Sequence, residues 1–127
     1  EYLNKAIELQ PDNEAAYNLR GFIYFNQGQN QQAIDNFSKA IQLNPTNAEN
    51  FNSRGSVYNK IGQYQEAIQD FNNAILFDSN VAAFYNNRGG VHLHHGDKKI
   101  GCLDLERACV LKLCDALEWA KKKKICD

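Results

Sequence analysis

Apolar and polar residues recur along this chain with the period of a helix. Tyr17, Gly21 and Tyr24 fall at i, i+4 and i+7 on one face, and Ala33, Phe37, Ala40 and Ile41 draw a second stripe on the following segment. Between the two lies Gly28-Gln29-Asn30, where a glycine can adopt the left-handed conformation that closes a helix. The unit is therefore a helix hairpin. Displaced by 34 residues it falls on itself: Tyr17, Phe51, Tyr85 and Trp119 share one register, and Gly21, Gly55 and Gly89 share another. So do Tyr24, Tyr58 and His92, then Gly28, Gly62 and Gly96. In the second half of the unit Leu3, Phe37, Phe71 and Leu105 align, as do Ala6, Ala40, Ala74 and Ala108. A fixed period mixing small and aromatic positions predicts a stacked array, because one hairpin cannot cover such rings by itself.

The pattern predicts helices over residues 1–10, 14–27, 30–43, 49–61, 63–77, 81–94, 97–111 and 115–125. Pro11 ends the first, Asp12 or Asn13 can cap the second, and Thr46 and Asn47 repeat that cap. The expected division is a truncated repeat at 1–11, repeats at 14–47, 48–81 and a degenerate 82–114, and a capping helix at 115–127. Because the chain opens inside a unit and without methionine, it reads as a piece excised from a longer array. Lys123 stands where a fourth repeat glycine would be, so Leu117, Trp119 and Ala120 are expected to cover the flank of the third pair. Lys121 to Lys124 should then face water and complement the carbonyl end of the helix dipole.

This arrangement resembles the tetratricopeptide repeat (TPR) family. Tyr17, Gly21, Tyr24, Ala33, Phe37, Ala40 and Pro45 match its motif in the first unit, and Phe51, Gly55, Tyr58, Ala67, Phe71 and Ala74 in the second, with Ser79 in place of the closing proline. In the third, Tyr85, Gly89 and Ala108 fit while His92, Gly101, Leu105 and Leu113 depart. The resemblance implies an all-α, right-handed superhelical array of antiparallel helix pairs, an α-solenoid with a C-terminal capping helix. It further implies that the first helix of each pair lines a concave groove that binds peptides. Carried over by register, the groove positions are Asn18, Phe22, Phe25 and Asn26, then Asn52, Ser56, Asn59 and Lys60, then Asn86, Gly90, Leu93 and His94. Asn18, Asn52 and Asn86 form a row whose amides can hold an extended backbone through both donor and acceptor, although solvated asparagines on an open face would look the same. Phe22 and Phe25 read as exposed aromatic anchors. Some family members clamp a C-terminal carboxylate with lysine and arginine; Asn18, Phe22, Ser53, Ala83 and Asn87 occupy such positions here, so that clamp is not expected.

Composition narrows the partners. With 127 residues, 43% hydrophobic content and a net charge of −1, nothing points to a nucleic-acid or membrane surface. No apolar run is long enough to span a bilayer, and the reading is a soluble protein, with the cytoplasm preferred and the compartment open. The expected role is a protein-protein interaction scaffold holding a protein or peptide partner. The rivals are a regulatory or targeting domain of a larger enzyme, and self-association. No nucleophile elbow, phosphate loop or metalloprotease motif is present, and no enzyme activity, cofactor or metal is implied. His92 and His95 could face one way as ligands, but His92 stands on a tyrosine register and reads as a core histidine.

All four cysteines, Cys102, Cys109, Cys114 and Cys126, lie near the C-terminus. A bond from Cys109 or Cys114 to Cys126 would pin the cap, but the preferred reading keeps Cys102 and Cys109 as reduced, buried small hydrophobes. The arginines recur too, as Arg20, Arg54 and Arg88, each one residue before a repeat glycine. A guanidinium cannot shed its charge, so Arg54 and Arg88 are expected to pair with Asp70 and Asp104, with Asn36 on that register in the first unit; the alternative makes them groove-side anion ligands.

Overall fold

Short turns link eight helices in the computed structural model, which describes residues 2–127: α1 (Tyr2–Leu9), α2 (Glu14–Asn26), α3 (Asn30–Leu43), α4 (Ala48–Lys60), α5 (Tyr64–Phe77), α6 (Ala82–His94), α7 (Lys98–Val110) and α8 (Asp115–Lys122). Glu1, placed in the first helix on sequence grounds, lies outside the described residues. Asn13 rather than Asp12 caps α2, accepting from the Ala16 N–H at 3.1 Å, and Asn47 caps α4 by accepting from Glu49. At the other ends, Gly28, Gly62 and Gly96 take φ of +75°, +83° and +90°. That turn lets the N–H groups of Gln29, Gln63 and Asp97 reach back to the carbonyls of Tyr24, Tyr58 and His92, closing each helix in a Schellman motif.

The helices pack as three antiparallel pairs, α2 with α3, α4 with α5 and α6 with α7, and each second helix leans on the first helix of the next pair. This makes an all-α solenoid. Its core is a string of small clusters, as a quasi-one-dimensional array requires. Phe37 and Ala33 are sealed by Val57 from the following pair, and Phe71 and Ala67 by Val91. His92 is half-buried rather than a core residue, and His94 and His95 are exposed.

The C-terminal end departs from expectation in two ways. Leu117 and Ala120 are buried against Leu105 as expected of a cap, but Trp119 is 51% exposed. The helix also stops at Lys122, and the chain turns so that Ile125 and Cys126 fold back into that cluster. Both expectations about the cysteines are corrected. They are oxidised, and Cys126 pairs with Cys102, not with Cys109 or Cys114, which pair with each other. The reason is local: Cys126 is buried beside α7, with 5.7 Å between its Cα and that of Cys102, whereas Cys109 and Cys114 face one another across the tight turn at Lys112. A thiol titration of the unreduced, denatured protein should therefore find no free thiol. Cys126→Ala should lower stability by about 2 kcal/mol through release of the cap; unchanged unfolding would show that the Cys102–Cys126 link holds nothing in place.

Candidate functional site

The first helices α2, α4 and α6 lie side by side, and side chains bridge them. Asn18 of α2 donates to Asn50 Oδ1 of α4 at 2.6 Å, and Asn87 of α6 donates to Asn52 Oδ1 of α4 at 2.9 Å. Each bridge uses one end of an amide in the asparagine row. Asn52 Nδ2 makes no hydrogen bond among the described residues, and Asn86 Oδ1 is buried without a partner. The fold thus leaves unused a donor at Asn52 and, just beneath the face, a buried acceptor at Asn86. Ser56 is half-buried and donates to the Asn52 carbonyl one turn back on its own helix at 3.0 Å, while Asn26, Asn59, Lys60 and His94 are exposed.

Phe22 and Phe25 are more embedded than free anchors would be. Phe22, 40% exposed, rests edge-on against the buried Phe37, ring centroids 5.2 Å apart. Phe25 is half-buried against the Ala33, Ile34, Phe37 and Val57 cluster, and Lys60 Nζ lies 4.7 Å from its ring centroid. Truncating both would therefore cost packing as well as any contact with a ligand, a correction that follows from Phe37 lying directly beneath. Towards the C-terminal end the face opens into a cavity of about 550 Å³ lined by Asn86, Gly90, Leu93 and His94 of α6 together with Lys98, Leu105, Ala116, Trp119 and Ile125.

Glu14 and Asn50 stand on registers that hold no polar residue in the other repeats. The Glu14 carboxylate at the start of α2 accepts from Asn44 at 3.0 Å, from Asn50 at 2.7 Å and from Asn47, tying one pair to the next. Burial works to raise its pKa, but the three amide donors outweigh that and hold it below the ordinary 4.5. A group whose folded pKa is depressed contributes stability above its unfolded value and loses it as pH falls through the folded one. Glu14→Gln should accordingly be less stable at neutral pH and lose less on acidification below about pH 4.5; parallel stability-pH curves for parent and variant would count against this link.

The arginines do not belong to the site. Arg54 makes two parallel bonds to Asp70, both 2.8 Å, and Arg88 two to Asp104 at 2.9 and 2.8 Å, each pair within a hairpin. A third N–H of each reaches back to the preceding second helix, from Arg54 to Ser38 and from Arg88 to Asn72. Among the described residues Arg20 has no carboxylate partner and bonds Asn36 and Asn4 instead. Arg54 and Arg88 are thus engaged in structural pairs within their hairpins, as expected of the aspartates on that register. Among the described residues no cluster of three or more histidine, cysteine or carboxylate side chains could hold a metal ion, and no helix is long and apolar enough to cross a membrane.

Family models described as "Tetratricopeptide repeat" match residues 14–47 and 36–69, and a third described as "TPR repeat" matches residues 55–96. No curated protein sequence matches the chain. Among solved structures it is similar to MamA, with 25% identity and a TM-score of 0.81 over 87% of this chain and 64% of that one. The first TPR domain of Spaghetti (RPAP3), solved with the HSP90 peptide SRMEEVD, is 24% identical with a TM-score of 0.82, over 88% of this chain and 89% of that chain. YrrB, described as a TPR protein with an unusual peptide-binding site, is 23% identical with a TM-score of 0.81, over 88% of this chain and 58% of that one. The last two likenesses are of fold. The chain spans just under two thirds of MamA and somewhat more than half of YrrB.

Proposed function

Because this chain belongs to the tetratricopeptide repeat family, we propose that it is a non-catalytic interaction scaffold that holds an extended segment of a protein partner along the face of α2, α4 and α6. One observation carries this reading: the asparagine row of that face keeps an unused donor at Asn52 and an unused, buried acceptor at Asn86. An extended peptide backbone supplies the complementary carbonyl and N–H at regular intervals, so the row can hold it without reading side chains. Peptide binding by solved relatives of the same fold supports the role. The test is selection of displayed peptides against the whole chain, followed by Asn52→Ala combined with Asn86→Ala. Two lost hydrogen bonds should weaken the selected peptides about tenfold, while loss of the Asn87–Asn52 bridge lowers stability by about 1 kcal/mol and leaves the protein folded. Full affinity in the double variant would refute the reading.

A second reading, self-association, is favoured by one feature. Ile23 is 46% exposed, although Val57 and Val91 on the same register of α4 and α6 are fully buried beneath the preceding helix pair. Light scattering across concentration separates a monomer from copies joined at that flank.

A further inference from the structure

The third helix pair lacks two rings that the first one has. Phe22 and Phe37 meet edge-on in α2 and α3, and the same two registers hold Gly90 and Leu105 in α6 and α7. Nothing lies within 4 Å of where a side chain on Gly90 would begin. The missing volume opens as the cavity of about 550 Å³ at the end of the asparagine row, within the size range of small-ligand and side-chain pockets. Trp119 borders it and stays 51% exposed, although rings on the same register in α4 and α6, Phe51 and Tyr85, are 7% and 9% exposed. Polar groups in the lining are few. Asn86 Oδ1 is a buried acceptor without a donor, and the ionisable groups are Lys98 and His94, with no carboxylate among the lining residues.

The geometry points to a subsite here for one phenylalanine-sized apolar side chain of an extended peptide, flanked by acidic residues. This deepens the peptide-binding reading above and rests on it. The guest ring fills the space that Phe22 occupies in the first pair, a backbone N–H beside it donates to Asn86 Oδ1, and a neighbouring carboxylate meets Lys98. Recognition is of an internal side chain, so it needs no C-terminal carboxylate and none of the clamp positions.

Trp119 is the chain's single tryptophan, and its emission reports on the cavity directly. Titration with the capped peptide Gly-Ser-Asp-Phe-Asp-Ser-Gly should shift that emission to the blue and saturate. The counterpart with alanine for phenylalanine should bind at least about tenfold more weakly, and the one with lysine for both aspartates should also bind more weakly. Gly90→Phe refills the cavity from within and should abolish the response while the helical circular dichroism is kept. Should that variant fold poorly, Lys98→Glu provides the second arm, weakening the aspartate peptide and strengthening the lysine one. The subsite is overturned if the parent does not respond, if the alanine peptide binds equally, or if Gly90→Phe binds as the parent does. Loss of binding in Asn52→Ala with none in Gly90→Phe would remove the subsite and leave the face as the binding surface; loss in neither would remove both.

Discussion

Arg54→Leu is expected to destabilise the protein by about 3–5 kcal/mol, and Asp70→Asn by a comparable amount, because each strands the other partner in a buried site. Asp70 is 2% exposed and lies in the contact between α4 and α5. Burial pushes its carboxyl above the ordinary range, and the two bonds from Arg54 only partly pull it back, while the same bonds raise the Arg54 guanidinium. The carboxylate is therefore dependent on its partner. Arg54 also donates to Ser38 and lies about 6 Å from the ring centres of Phe51 and Tyr58, so it joins α3, α4 and α5 in one contact. Denaturant unfolding of both single variants and the double variant decides the matter. The double should cost clearly less than the sum of the singles, since it leaves no stranded charge; additive losses would mean that the pair contributes no coupling.

Gly55→Leu is expected to cost about 3 kcal/mol. A Cβ at this position would stand 2.9 Å from Phe71 Cε1 and 3.1 Å from Asp70 Cβ. Phe71 cannot give way, being 1% exposed and sealed by Ala67 and Val91, and Asp70 is held by Arg54. The same substitution at Gly90 meets open space, which makes Gly90→Leu the control for helix propensity alone. Thermal unfolding should show a large fall for Gly55→Leu and little change for Gly90→Leu. Equal midpoints for the two would mean that close approach of α4 to α5 is not what the repeat glycine provides.

Repetition made much of this molecule legible from its residues. Hairpin units, cap residues such as Asn47, the glycine turns and the Arg54–Asp70 and Arg88–Asp104 pairs each obey a rule that recurs at a fixed spacing, so a single register carries all of them. The misses fall where the register breaks. The expectation of reduced cysteines and its alternative, a bond from Cys109 or Cys114 to Cys126, both failed where the chain reverses after Lys122, a turn at Lys124 that no repeat position foreshadows and that brings Cys126 to Cys102. Trp119 kept its register but lost its burial: Phe51 on that register stacks on Phe77 in the second helix of its own pair, and among the described residues no helix follows α8 to pair with it. The loss of two rings, with Gly90 and Leu105 on the registers of Phe22 and Phe37, was visible in the sequence. Asn50 and Glu14 form a cross-repeat link present once, and a periodic reading averages such a link away.

The central claim is that the face of α2, α4 and α6 takes up a peptide. Backbone amide chemical shifts recorded while a selected peptide is added test it most directly. The predicted result is a continuous set of shifted resonances including Asn18, Asn52, Asn86 and Leu93, with the outer helices α3 and α5 quiet at Asp35, Gln42 and Gln69. Shifts concentrated on those outer positions, or at the α2 flank around Leu19 and Ile23 alone, would contradict it.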